Sequence, residues 1–336
     1  MKSVFINCLF FFFVGFSLLA NAQSYPELIK LTKSATKQNY EESEEKISKT
    51  VKKHKNDPYV YLERYFFYYK FYKNELALQD INKAIELMPS KYLFYEYRID
   101  VLFEMDKLED AWKDISTIYA MDKTIPDSYV YRGQYFFKCD SLQASFQNFN
   151  QAISIYENNN AQCWVMSRCY RGRGNLNLAF GNTDKAIADF TKAITKARDA
   201  KKDNLLILRA KAQFLKNNIS SAQADIEAAL DYKPDTLTLG YIYALKGNAG
   251  EVEVLVPNIL SKKASCDRCK ASMIYDVACY FAILNNKEKA LQYLEKSIQM
   301  GFNKFNWLLI DYDMKNIKNT PEFIALIEKY RNNKQK

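Results

Sequence analysis

The chain has 336 residues, 48% of them hydrophobic, with only nine glycines and seven prolines; this excludes a disordered or collagen-like polymer and leaves a folded, helix-rich protein. Its 48 basic and 39 acidic residues give a net charge of +9, and because the two signs are interspersed, a solvated surface is expected rather than a polyanion-binding stripe. A single compact core is not expected at this length, so two domains or one elongated repeat array are the alternatives.

The first 22 residues read as an export signal. Lys2 supplies the positive start, residues 8–19 are almost unbroken apolar sequence, and Ala20-Asn21-Ala22 offers small residues for cleavage. A periplasmic or secreted chain starting at Gln23 is expected. The competing reading, a retained membrane anchor, is disfavoured because the apolar run falls short of the ~20 residues that span hydrocarbon. Cys8 lies too early to become a lipid-modified first residue after cleavage. Further on, Glu41, Glu42, Glu44 and Glu45 precede Lys46, Lys49, Lys52, Lys53 and Lys55, the pattern of an ordinary charged helix face.

A period near 34 residues organises the rest of the chain. Ala77, Ile81 and Ala84 mark one helix face, with Pro89 beyond its end. The face recurs at Ala111, Ile115 and Ile118, at Ser145, Phe149 and Ala152, at Ala186, Phe190 and Ala193, at Ala222, Ile226 and Ala229, and at Ala290, Leu294 and Ser297. Repeats are therefore predicted to begin near Ser24, Pro58, Tyr92, Pro126, Ser167, Asp203 and Ala271. The small–large–small spacing, with Arg132-Gly133 and Arg173-Gly174-Asn175 at a glycine position of the preceding helix, resembles the tetratricopeptide repeat. Small residues let two antiparallel helices approach to ~8 to 10 Å while the large residue fills the gap to the next unit.

The resemblance covers about residues 24–304 and implies an all-α, right-handed superhelical solenoid of antiparallel helix pairs, with each unit completing its neighbour's core. Three segments depart from it. The first unit carries Ser43 and Thr50 at small positions and is highly charged, as a solvent-facing cap would be. An Asn-rich connection near residues 157–162 is expected to bulge from the stack, and between residues 237 and 270 the pattern degrades to a weak seventh unit interrupted by Pro257, where the array is expected to bend. Residues 305–336 abandon the repeat and read as a closing helical segment followed by a polar tail. The domain reading is thus a signal at 1–22, about seven to eight units over 23–304, and a cap at 305–336.

Catalytic chemistry is poorly supplied. His54 is the single histidine, expected at the surface, which removes His-based triads and two-histidine zinc sites. Arg171-Gly172-Arg173-Gly174 lacks the third glycine and the preceding strand of a dinucleotide loop. Carboxylate pairs such as Asp311 and Asp313 lie in a terminal segment with no supporting constellation. No enzyme activity and no cofactor are expected. Six cysteines remain after loss of Cys8, and Cys266-Asp267-Arg268-Cys269 is the sharpest local feature: a disulfide or idle thiol pair, half of a metal site, or a redox centre.

In the resembled family the first helices of successive units line a groove that holds a peptide or partner helix. Carried over, the groove positions are Tyr59, Leu62, Phe66 and Tyr69, then Glu96, Asp100 and Phe103, then Val130, Gln134 and Phe137, then Arg171, Asn175 and Leu178. Arg171 and Asn175 also match the start of a clamp for a peptide's terminal carboxylate, although Leu208 stands where the next unit should offer an amide. The function read from the sequence is an exported, non-catalytic protein-interaction scaffold with a protein or peptide partner and no nucleic acid. The alternative is a basic protein that holds envelope polyanions or glycans.

Overall fold

The computed structural model describes residues 25–159, 165–197, 202–264 and 266–332. The predicted export signal and the centre of the Asn-rich connection lie outside them. Contacts divide the chain at Ser128/Tyr129 into two compact units.

The described residues form helices joined by turns, arranged as pairs. In the first unit α1 (Pro26–Ser34) pairs with α2 (Tyr40–Lys53), α3 (Pro58–Lys70) with α4 (Asn74–Leu87), and α5 (Tyr92–Glu104) with α6 (Leu108–Met121). The second unit contains most of α7 (Pro126–Lys138), then α8 (Leu142–Asn158), α9 (Val165–Ala179), α10 (Thr183–Lys196), α11 (Lys202–Leu215), α12 (Ile219–Asp231), α13 (Thr236–Leu245), α14 (Ala249–Ser261), α15 (Asp267–Ile283) and α16 (Lys287–Gln299). It ends in α17 (Phe305–Ile310), a 3-10 turn at Tyr312–Met314, and α18 (Pro321–Asn332). This is an all-α helical-repeat fold of solenoid type.

Local chemistry explains the pairing. Every second-helix position picked out by the period is buried, among them Ala77, Ile81 and Ala84 at 0% exposure and Phe149 at 3%. Seven turns from a first to a second helix share one geometry: a residue with φ between 56° and 79°, at Tyr72, Asp106, Asp140, Gly181, Asn217, Gly247 and Asn285. The next residue's N–H reaches back five residues to a carbonyl at 2.8 to 3.0 Å, as from Lys73 to Tyr68 and from Asn286 to Phe281. That closure satisfies the carbonyls a helix end leaves unbonded.

The weak seventh unit is a full pair. Its helix α14 runs unbroken through Pro257, and Gly247 supplies the shared turn. The expected interruption does not occur because the deeper signals, the turn and the small residue at the crossing, are intact. Gly240 lies against the ring of Tyr280, where an added Cβ would meet ring atoms at 2.5 Å.

An arginine clamp recurs that the helix-face pattern did not reveal. Arg64, Arg98, Arg173 and Arg209 each grip, with Nε and Nη2, both oxygens of an aspartate sixteen residues on, Asp80, Asp114, Asp189 and Asp225, at 2.5 to 2.9 Å. The remaining nitrogen reaches the preceding second helix, at Ser48, Asn82, Asn150 and Thr191 respectively. Arg98 and Arg173 also lie over the rings of Tyr95 and Tyr170 at 5.6 Å. Burial pushes the carboxyls of Asp80 and Asp114 above their usual range despite the arginines, which pull the other way.

Two measurements test this packing. Gly172 faces Phe149, with ring atoms 2.5 Å from where a Cβ would sit, so Gly172→Ala is expected to cost about 2 kcal/mol in denaturant unfolding through overpacking. Arg98→Met leaves the buried Asp114 without its cation and is expected to cost about 3 kcal/mol. The double variant carrying Asp114→Leu as well recovers most of that loss.

Candidate functional site

The first helices carry the predicted groove residues, and the two units treat them differently. In the first unit Leu62, Glu96 and Phe103 are buried at 7%, 9% and 7% exposure, so these three belong to the helix interfaces rather than to a binding surface. Tyr59, Phe66, Tyr69 and Asp100 remain partly exposed. Phe66 packs edge-on against Tyr97 at 4.9 Å, Tyr69 stacks on Tyr65 at 5.6 Å, and Tyr59 meets Phe94 at 5.8 Å. The contacts of Phe66 and Tyr59 join α3 to α5, while that of Tyr69 lies within α3.

Two polar groups frame that face. Lys70 donates to the carbonyls of Thr32, Lys33 and Ala35 at 2.8 to 2.9 Å, closing the C-terminal end of α1. Glu63, one turn from Tyr59 and from Phe66, has its carboxyl pushed up to about 7 by burial, with Lys33 only partly opposing the shift. His54, expected at the surface, is partly covered by the ring of Tyr25 at 5.3 Å.

In the second unit the corresponding face is occupied by the chain itself. The sequence predicts that the segment after residue 304 closes the last repeat, yet residues 304–316 run across first helices. Asp140, in the turn after α7, accepts the backbone N–H groups of Asn306 and Trp307 at 2.6 and 3.0 Å. Phe137, a predicted groove residue, meets Trp307 at 5.1 Å and Lys304 at 4.4 Å. Tyr312 packs beside Leu178 and Leu208. Asp313 pairs with Lys211 of α11 at 2.7 Å, and Asn316 donates to the carbonyl of Ala282 at the end of α15. Leu308 and Met314 of this strap, and Ile317 just after it, are fully buried. Beyond the strap, α18 lies on α16, with ion pairs such as Lys329 to Glu295.

The strap completes a buried polar cluster. Lys211 lies 3.4 Å from the Tyr241 ring centre, Tyr241 donates to Asp276 at 2.8 Å, and Tyr275 donates to Asp311. Burial raises the carboxyl of Asp276 to about 6, and burial beside Asp313 raises that of Asp311. The Cys279 thiol is fully buried among them and pushed well above its usual range by burial first and these carboxylates second.

Other predicted residues are not brought together. Arg171 is exposed and has no ion pair among the described residues. Asn175 is partly exposed, while Asn177 is the amide in use, donating to Asp189 at 2.9 Å. Gln134 is partly exposed on α7. Leu208, at the clamp's third position, packs with Tyr312 against the apolar cluster of Leu178 and Phe190 and offers no amide. Cys266 and Cys269 lie with sulfurs 2.23 Å apart at the start of α15. In the sequence Lys211 is a second basic residue two positions after Arg209, between Ala210 and Ala212, and its spacing does not announce a buried partner.

No family model matches the sequence, and no curated protein does. Solved structures do. The Rap protein complexed with competence and sporulation factor superposes with a TM-score of 0.63 at 12% identity, covering 81% of this chain and 84% of that one. The Cut9–Hcn1 hetero-tetramer of APC/C gives 0.58 at 10% identity over 90% of this chain, which spans 62% of that chain. Aspartyl phosphate phosphatase F from Bacillus subtilis gives 0.53 at 15% identity, covering 83% and 80%. At these identities the likeness is one of fold, and the fold is tetratricopeptide-like.

Glu63 provides a pH test of the aromatic face. Its folded pKa lies above the unfolded value, so the protonated carboxyl is the one the fold favours; stability is full below pH ~4 and is lost as pH rises toward 7. Glu63→Gln is therefore expected to raise Tm at pH 8 and leave it unchanged at pH 4. Equal shifts at both pH values would contradict the assignment.

Proposed function

We propose that this chain is an exported, non-catalytic interaction scaffold that holds a peptide or a partner's helix on the faces of its first helices. One observation carries the reading. On the second unit a stretch of polypeptide, residues 304–316, lies across first helices, with backbone N–H groups received by Asp140 and side chains received by Phe137, Lys211 and Tyr275. A surface of this make receives peptide by capping backbone and filling pockets, the two elements of peptide recognition on helical repeats.

The equivalent face of the first unit offers Tyr59, Phe66 and Tyr69, aromatic anchors of the kind that dominate binding energy. The similar fold of the Rap protein, solved in complex with its factor, and of Cut9, solved in an assembly with Hcn1, supports a partner-binding role. Export is supported by the charged, apolar and small-residue order of residues 1–22.

Site-directed photocrosslinking in living cells tests this. A photoreactive residue at Tyr69 or Asp100 is expected to give a discrete adduct in the envelope or secreted fraction, while one at Glu86, exposed on α4, gives none. Indiscriminate adducts from both faces, or none from either, would overturn the scaffold reading. N-terminal sequencing of the mature chain should start at Gln23; an unprocessed cytosolic chain would overturn export.

A further inference from the structure

The buried cluster where the strap meets α15 has the composition of a cation site. Cys279 Sγ and carboxylate oxygens of Asp311 and Asp313 all lie within 4.8 Å of one another, and all three residues are buried. Cys279 is 0% exposed and a free thiol, and among the described residues its sulfur, close to the two carboxylates, has no hydrogen bond. From these observations we propose that Cys279, Asp311 and Asp313 bind one divalent transition-metal ion of the zinc type, clamping the C-terminal strap to α15.

Charge argues for a cation. Asp276, Asp311 and Asp313 converge on one ammonium in direct contact, that of Lys211, which pairs with Asp313. Ionised carboxylates in excess of their cations are costly in a dry interior. A divalent ion bound to the Cys279 thiolate and the carboxylates of Asp311 and Asp313 beside Lys211 brings those four groups and the ion to zero net charge, leaving Asp276 to the hydrogen bond from Tyr241. Binding breaks the Cys279 S–H bond, forms the sulfur–metal bond and releases the proton to solvent, so affinity rises with pH.

The donor set selects the metal. Thiolate with carboxylate favours zinc-like ions over calcium or magnesium, whose ligands are all oxygen. The outer contacts needed to aim such ligands are already made. Tyr275 donates to Asp311 Oδ2, the Asp313 N–H donates to Asp311 Oδ1 at 3.0 Å, and Lys211 holds Asp313 Oδ2. Oriented ligands of this sort are worth roughly 10- to 100-fold in affinity. An ion can reach the cluster from an open cavity of about 530 Å³ that Asp313 lines together with Phe214, Ala244, Tyr312 and Asn316, and water from it completes the coordination.

The full mature chain, stripped with a chelator and titrated with Co²⁺, provides the test. One ion per chain is expected, with a near-ultraviolet sulfur-to-cobalt charge-transfer band. That band is expected to vanish in Cys279→Ala and the affinity to fall about tenfold or more in Asp313→Asn. It should persist when Cys139, Cys163, Cys169, Cys266 and Cys269 are replaced, a variant that keeps the test alive if Cys279→Ala does not fold. Zn²⁺ should raise the Tm of the native chain. Absence of saturable Co²⁺ uptake, or a band that survives Cys279→Ala or is lost with the other five cysteines, overturns the site and leaves protons to neutralise the cluster.

Discussion

Arginine clamps set the register on which the repeat stack depends. Each of Arg64, Arg98, Arg173 and Arg209 touches three helices at once: its own, the second helix of its pair through an aspartate, and the second helix of the pair before. Sixteen residues separate arginine from aspartate because that is the path from the middle of one helix, round the shared turn, to the middle of the next. The clamp is not chiefly a source of stability. Burial raises the carboxyls of Asp80 and Asp114 even with arginine present, so desolvation consumes much of the attraction. What a planar, two-pronged ion pair supplies is discrimination: a helix slid by one residue would leave both charges buried and unmet.

Hydrophobic packing then works within that register. Phe149 illustrates the dependence, since one ring fills the space over Gly133 of its own pair and over Gly172 of the following one. At the same unit Arg132 reaches a neutral partner, Asn148, at 3.2 Å, so packing over glycine carries more of the register there. The seventh pair likewise keeps its turn at Gly247 and its glycine contact at Gly240.

Second-helix faces were legible because their signal is local: Ala77, Ile81 and Ala84 stand one turn apart and share a single environment. The clamps were legible in principle, as arginine and aspartate at a fixed offset, yet the offset joins two helices and escapes a search for one helix's periodicity. For the groove, a run of aromatic residues gives no helical phase, so the sequence did not separate the buried Leu62, Glu96 and Phe103 from the partly exposed Tyr59, Phe66 and Tyr69. Lys211 and Asp313 are 102 residues apart, and nothing in either neighbourhood names the other. Asp311 and Asp313 looked like a solvated terminal pair for that reason; folding alone brings them under Tyr275 and beside Cys279.

The strap has a consequence for how such a chain can change. A helical array ordinarily gains or loses a pair without penalty beyond its ends, since each unit touches only its neighbours. In the second unit residues 306–313 must reach Asp140 at one end and Lys211 at the other. Inserting one more helix pair between α8 and α11 would move those anchors apart by roughly two helix spacings of 8–10 Å each, more than the intervening α17 could span without unwinding. Duplication, the ordinary way in which repeat proteins lengthen, is therefore closed to the stretch between those two anchors, and its length is as much a fixed trait as any residue in it.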